Sequence, residues 1–260
     1  MIFQDQLGRR IELSSRPERI VSLVPSQTEL LVDLGLEENL VGITKFCVHP
    51  PELKKIKKIV GGTKEVHFDK IAALNPDIIL CNKEENTKEM VKRLEKIAPV
   101  NVSDVVNLED AFGLMRQYGK LFRKESLAET VVSSIQKKVK TLKQQLQNKQ
   151  KTRVAYVIWK KPLMVAGRNT FINSLLELNN LENVFGEERY PVTSLEDLRN
   201  RQPEVVLLST EPFPFQEKHI KDFSDLDVQV EIVDGEYFSW YGSRLLKAME
   251  YFKKLPINNR

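Results

Sequence analysis

The residues best suited to chemistry or recognition gather in short segments that follow apolar runs. These segments are PSQ at 25–27, KFCVHPP at 45–51, GGTKEVH at 61–67, WKKP at 159–162, ERYP at 188–191 and YFSWYGSR at 237–244. Both tryptophans lie in them. Trp159 and Trp240, with Phe46, Tyr190, Phe238 and Tyr241, offer flat apolar faces to a large ring system, while Arg244 and Lys64 can pair with acidic substituents. Ser26 and Gln27 add small polar contacts. His49, just ahead of two prolines, can offer a ring nitrogen to a metal centre carried by a ligand. It has none of the clustered partners that a resident metal site needs, so no metal is bound directly. His67 reads as an entry residue for the helix at Phe68, and His219 as an ordinary surface residue. Two acids stand apart from these loops. Asp69 and Glu196 open two similar helices, where the helix dipole favours a carboxylate and where a matched pair suits basic residues on a two-fold partner.

Catalytic signatures are absent: there is no GxGxxG, no phosphate loop ending in GK[ST], no GxSxG elbow and no HExxH. No cofactor is called for, and no complete catalytic constellation is visible among the three histidines and scattered acids, which by itself leaves a binding protein and an enzyme both open.

The elements that must position these residues announce themselves by repetition. FDKIAALNPDIILC at 68–81 and LEDLRNRQPEVVLL at 195–208 carry the same phrase, an acid-led helix, a proline and an apolar strand. RIVSLV at 19–24 and RVAYVI at 153–158 form a second matched pair. A hairpin is expected around Leu7-Gly8, and a helix after Pro25 capped by Ser26 or Thr28 and stopped by Gly35. Further helices are expected near 86–97, at 108–122, 170–178 and 242–254. Strands alternating with helices predict parallel, helix-covered sheets. Between the two copies, Leu127, Val131, Ile135, Val139, Leu142 and Leu146 recur at helical spacing and predict one long amphipathic connector. The expected organisation is an α/β protein of two parallel-sheet, Rossmann-like lobes, residues 1–122 and 151–260, joined by a backbone helix within 123–150. A duplicated lobe predicts a cleft between the copies, and in open parallel sheets ligands bind beyond the carboxyl ends of the strands.

Composition narrows the class. Forty basic and 36 acidic side chains leave a formal charge of +4, spread along the chain without a dominant basic block, so nucleic-acid binding is not indicated. No run approaches the roughly 18 apolar residues of a membrane span. MIFQDQLGRRIEL places Asp5 and Gly8 where an export signal would need an apolar core, which leaves a cytoplasmic location open. The two cysteines, Cys47 and Cys81, read as free thiols.

The doubled phrase, the long helix between its copies, and the segments GRRIEL, PERIVSLVPSQTELL, GGTKEVHFDKIAALNPDIIL, SLEDLRNRQPEVVLLS and FSWYGSRLL resemble the class III, helical-backbone periplasmic binding proteins. Those serve ATP-binding-cassette importers of cobalamin, haem and ferric siderophores, and the likeness is greatest to the cobalamin-binding branch. The resemblance implies a monomeric, extracytoplasmic receptor that takes a small-molecule metal chelate in the interlobe cleft and delivers it to a permease dimer. The family's docking acids fall on Asp69 and Glu196. The alternative is a cytosolic two-lobed enzyme, glycosyltransferase-like or metal-tetrapyrrole-processing, that shares the architecture.

Overall fold

The computed structural model describes residues 1–259. The chain forms two compact units. The first comprises Met1–Val105, Glu109–Ser134 and Tyr241–Arg244, and the second Val106–Leu108, Ile135–Trp240 and the chain from Leu245 onward. Each unit is built on a parallel sheet.

In the first unit, β1 (Ile2–Gln4) and β2 (Arg10–Glu12) make the expected hairpin, with Gly8 at φ 76° in its turn. Then follow β3 (Ile20–Ser22), α1 (Pro25–Asp33), β4 (Leu40–Ile43), α2 (Leu53–Ile56), β5 (Lys58–Ile59), α3 (Phe68–Ala73), β6 (Ile78–Asn82), α4 (Lys88–Leu94), β7 (Val100–Ser103) and α5 (Leu108–Phe122). The strands pair in parallel in the order β5-β4-β3-β6-β7. An edge strand such as β7 leaves backbone groups unpaired, a hazard for edge-to-edge association. Here hairpin side chains occupy them: Asp5 accepts from the Val102 N–H (3.1 Å), Gln6 from the Asp104 N–H (3.1 Å), and Arg9 donates to the Val100 carbonyl (2.8 Å).

Helix α6 (Glu125–Leu146) starts in the first unit and passes into the second at Ile135. Its buried residues are Ala128, Val132, Ile135, Leu142 and Leu146, whereas Leu127 is 45% exposed. The expected stripe is therefore one residue out of phase over its first two turns. A strict spacing of four drifts around a helix of 3.6 residues per turn, and the buried face follows the neighbour rather than the repeat. That neighbour is α5, because a Cβ on Gly119 would lie 2.8 Å from the Ala128 Cβ, so the two helices touch there only with glycine.

The second unit contains β8 (Thr152–Trp159), β9 (Met164–Val165), α7 (Phe171–Leu178), β10 (Leu181–Asn183), α8 (Leu195–Arg201), β11 (Val205–Ser209), a 3-10 segment Glu217–Leu226, β12 (Gln229–Val233), α9 (Gly235–Ser239) and α10 (Leu245–Phe252). Its parallel order is β10-β8-β11-β12, and β9, which arises from the WKKPLMVAGRN insertion, lies antiparallel on β8. Thr170 caps α7 by accepting from the Asn173 N–H (3.1 Å).

The doubled phrase occupies the same topological place in both sheets. β6 lies beside β3 as β11 lies beside β8. Its chemistry is duplicated as well. Asp77 accepts from the Glu18 and Arg19 N–H groups (2.8 and 2.9 Å), and its counterpart Glu204 accepts from the Arg153 N–H (2.6 Å). Arg19 donates to the Leu74 carbonyl (2.6 Å) and Arg153 to that of Arg201 (2.7 Å), each serving orphan carbonyls where a helix ends. The residues before the paired prolines, Asn75 and Gln202, both adopt positive φ, at 44° and 51°. Pro25, by contrast, opens α1 instead of only ending a strand. Its fixed φ and missing N–H suit the first helical turn, so neither Ser26 nor Thr28 is needed as the cap. Thr28 instead bonds back to the Val24 carbonyl (3.0 Å).

Candidate functional site

The segments singled out for recognition lie beyond the carboxyl ends of the strands, and each unit builds its own arrangement there. In the first unit the centre is a buried amide. Tyr118 donates from its hydroxyl to Gln27 Oε1 (2.6 Å), and Gln27 Nε2 donates to Ser103 Oγ (2.6 Å) and to the Tyr241 hydroxyl (3.4 Å). Asn82, the last residue of β6, joins through Nδ2 to Ser103 Oγ (3.0 Å). Burial pushes the Tyr241 hydroxyl up from its ordinary value, and the charge of Glu85 adds to this. A network with this many partners holds Gln27 and Tyr241 in one orientation. Ser26 is buried beside them.

Tyr241 reaches this network because the segment Tyr241–Arg244 folds as part of the first unit. Gly242 makes the approach possible, since a Cβ there would sit 2.8 Å from the Ser26 carbonyl oxygen. Arg244 anchors the segment by a two-pronged ion pair, Nε to Glu29 Oε2 at 2.7 Å and Nη2 to Oε1 at 2.8 Å, with both side chains buried. The guanidinium expected to meet acidic ligand groups is thus satisfied inside its own unit.

Other members of the set stand more openly. Phe46 is 49% exposed, its ring edge 3.1 Å from where a Gly62 Cβ would be, with the Lys45 ammonium 5.1 Å from its centroid. His49 is half-buried, and Lys64 is exposed and donates to the Glu84 carbonyl. His67 sits at the start of α3, but its side chain makes no capping bond.

In the second unit Trp159 ends β8, 38% exposed, with its indole N–H bonded to the Lys161 carbonyl (3.0 Å). It meets Phe213 edge-on at 5.8 Å, and Phe213 meets Phe215 at 4.7 Å and His219 at 5.4 Å. His219 is more than a surface residue. Its Nδ1 accepts the Gln216 N–H (3.0 Å), which fixes the neutral ring with its proton on Nε2 and removes it as a metal ligand while that bond stands. Trp240 is buried and donates from Nε1 to Glu211 Oε1 (3.0 Å), where Ser239 also donates. Phe238 is fully buried, packed on Tyr156 (5.1 Å) and Phe252 (4.8 Å), which leaves it no face for a ligand. Tyr190 is half-buried.

The candidates thus divide within each unit. Phe46, His49 and Lys64 in the first, and Trp159 and Tyr190 in the second, keep surface; Gln27, Tyr241 and Arg244, like Phe238 and Trp240, are turned to internal partners. Sequence reasoning missed Asn82, Glu85, Ser103, Tyr118, Glu211 and Phe213. The doubled strand held a signal for three of them, because Asn82 is the terminal twin of Ser209 and the loops these two open carry Glu85 and Glu211.

Asp69 and Glu196 are both exposed in the first turns of α3 and α8. Ser194 caps α8 from the Asp197 N–H (3.1 Å). Two cavities lie elsewhere, one of about 230 Å³ at the amino ends of β8 and β10 and an open groove of about 610 Å³ beside β2 and the amino end of β7. Ligands of parallel sheets favour the other end. Among the described residues no cluster of three or more His, Cys, Asp or Glu is placed to hold a metal, Cys47 and Cys81 are free thiols, and no helix is long and apolar enough to cross a membrane.

Comparison with known proteins gives the family. A family model described as periplasmic binding protein matches residues 20–226. A vitamin B12-binding protein of Pectobacterium carotovorum subsp. carotovorum (strain PC1) is 28% identical over 239 residues, covering 90% of this chain and 86% of that protein. Among solved structures, the periplasmic vitamin B12 binding protein of Vibrio cholerae superposes with a TM-score of 0.80 at 21% identity, covering 94% of this chain and 99% of the other. A periplasmic heme-binding protein from Roseiflexus sp. RS-1 gives 0.81 at 19% identity, covering 94% and 99%. At such identities the structures establish the two-lobed fold alone, and the sequence match establishes kinship with non-catalytic substrate-binding proteins, which sets aside the two-lobed enzyme. The chain belongs to the periplasmic binding protein family.

Proposed function

We propose that this protein is the extracytoplasmic receptor of an ATP-binding-cassette importer, and that it captures a corrinoid. The observation that carries the reading is the alignment of curated vitamin B12-binding proteins along nine-tenths of the chain. Structural relatives include heme- and siderophore-binding proteins, so the fold by itself does not choose among chelates.

At the carboxyl ends Arg244 is committed to Glu29, Lys160 to Asp222 (2.8 Å) and Lys64 to the Glu84 carbonyl, while Lys45 and Lys161 stay exposed. A corrin rim carries neutral amides, which need donors and acceptors rather than net charge. Phe46 and Trp159, the latter backed by Phe213, supply apolar faces for the macrocycle. His49 is the residue offered for contact with the ligand's metal. Docking to the permease falls to Asp69 and Glu196, whose exposure on the first turns of twin helices suits exposed, reversible ion pairs.

Titration with cyanocobalamin, haemin and a ferric hydroxamate, followed by tryptophan fluorescence, tests the reading. Saturable quenching by cyanocobalamin, carried mainly by Trp159, is the expected result. Silence across the panel contradicts the receptor reading; quenching by haemin or the hydroxamate alone contradicts the choice of ligand.

A further inference from the structure

Two ties hold the chain after β11 to the end of β8. One is an ion pair, Lys160 Nζ to Asp222 Oδ2 at 2.8 Å. The other is a group of rings. Trp159 meets Phe213 edge-on at 5.8 Å, Phe213 meets Phe215 at 4.7 Å, and the His219 ring lies 5.4 Å from Phe213 and 5.7 Å from Phe215. Phe215 is buried, and Phe213 and His219 are half-buried, so the imidazole packs as a member of the aromatic group that backs Trp159.

The same imidazole closes a turn. Its Nδ1 accepts the Gln216 N–H (3.0 Å) while the His219 N–H donates to the Gln216 carbonyl (2.8 Å), a reciprocal pair at the start of the 3-10 segment Glu217–Leu226. Only a neutral ring can do this, because a protonated imidazole has a donor on both nitrogens and no acceptor. The charged groups facing the ring are Lys160 from the end of β8 and Lys218 and Asp222 from its own segment; Glu211, the acid of the 211–215 loop, accepts from Ser239 and Trp240. Partial burial, then the charges of Lys160 and Lys218, favour the neutral ring against the opposing pull of Asp222. Asp222 is itself held below the ordinary carboxylate range by Lys160, so the ion pair keeps its charges near neutral pH. Of the two ties, the one through His219 changes charge there.

We propose that His219 is a pH-sensitive latch: neutral, it closes the 216–219 turn and packs Phe213 behind Trp159; protonated, it releases the turn and slackens that support. The latch contributes stability above about pH 6.5, the ordinary value of the free ring, and loses it as pH falls through the lower value held in the fold. On the receptor reading above, the ligand is held less firmly in acid. The latch itself needs no ligand.

The test is nitrogen-resolved NMR of the free protein between about pH 5 and 8, with the Trp159 indole signal assigned from Trp159→Phe and the His219 ring from His219→Gln. The His219 ring titrates with a midpoint below about 6.5, and the Gln216 amide and Trp159 indole signals move with it. Below that midpoint, exchange protection of the Gln216 amide, corrected for its intrinsic rate, falls by up to about tenfold per pH unit. Glutamine keeps an acceptor oxygen and carries no titrating proton, so in His219→Gln both signals stay level. A His219 midpoint at or above about 6.5, a titrating ring beside unmoved Gln216 and Trp159 signals, or Trp159 movement that persists in His219→Gln overturns the latch. The wild-type profile decides even where the variant fails to fold. Cyanocobalamin separates this inference from the receptor reading. Affinity that weakens in acid for wild type but not for His219→Gln supports the link between latch and ligand, and level affinity in both overturns that link. Absence of binding at every pH overturns the receptor reading and leaves the latch standing.

Discussion

Replacing Arg244 with methionine separates a structural cation from a ligand-binding one. Both prongs of its pair with Glu29 are at charge-assisted hydrogen-bond distance, 2.7 and 2.8 Å, and the side chains are only 5% and 8% exposed. Methionine removes the partner and leaves a buried carboxylate, a change that costs about 3–5 kcal/mol. In urea, with a slope of about 2 kcal/mol per M, the unfolding midpoint of the first unit falls by about 2 M, read by far-ultraviolet circular dichroism. Replacing both members, Glu29→Met with Arg244→Met, removes both charges and restores most of the loss, because a buried pair is roughly balanced by an apolar one of similar volume. Arg244→Lys falls between, since an ammonium keeps the charge but not the fork. A loss below about 1 kcal/mol for Arg244→Met, joined to a large loss of ligand affinity, would refute the reasoning and return Arg244 to the ligand.

Charge reversal of Asp69 and Glu196 together removes stimulation of the permease ATPase while ligand affinity stays at the wild-type value; loss of affinity instead shows that these acids are misplaced. Gly235→Ala destabilises the second unit by about 1–3 kcal/mol in urea unfolding, because its Cβ would lie 2.4 Å from Ser209 Oγ and 2.5 Å from Glu211 Cγ. The Arg201 guanidinium bonded to Glu187 holds that carboxyl below its ordinary value, and Asp197 is also lowered through Thr193 and Arg201 despite an opposing cost of burial. Depressed carboxylates stabilise above their unfolded values and lose that contribution as pH falls through the folded ones, so acid below about pH 4.5 destabilises wild type more than Arg201→Ala. An equal acid sensitivity in the two proteins counts against the cluster.

The architecture was legible because it is written in long-lived patterns. The doubled phrase placed α3-β6 and α8-β11 correctly, and the matched RIVSLV and RVAYVI fell on β3 and β8, which the structure sets next to them. Helices α5 and α7 lie where helices were expected, at 108–122 and 170–178, although the Thr170 cap was not foreseen. The site was less legible, since residue type tells what a side chain can do but not which way it faces. Phe238 and Arg244 looked like recognition residues and turned to a core and an ion pair, and nothing local in YFSWYGSR says that its last four residues return to the first unit. Glu29, the partner that decides the fate of Arg244, lies 215 positions away.

Equilibrium dialysis of the purified protein against cyanocobalamin tests the central claim most directly. Retention of the coloured corrinoid should saturate at one molecule per chain and be lost when Phe46 and Trp159 are both changed to alanine. Free passage of the corrinoid across the membrane, with the wild-type protein folded, would contradict the account.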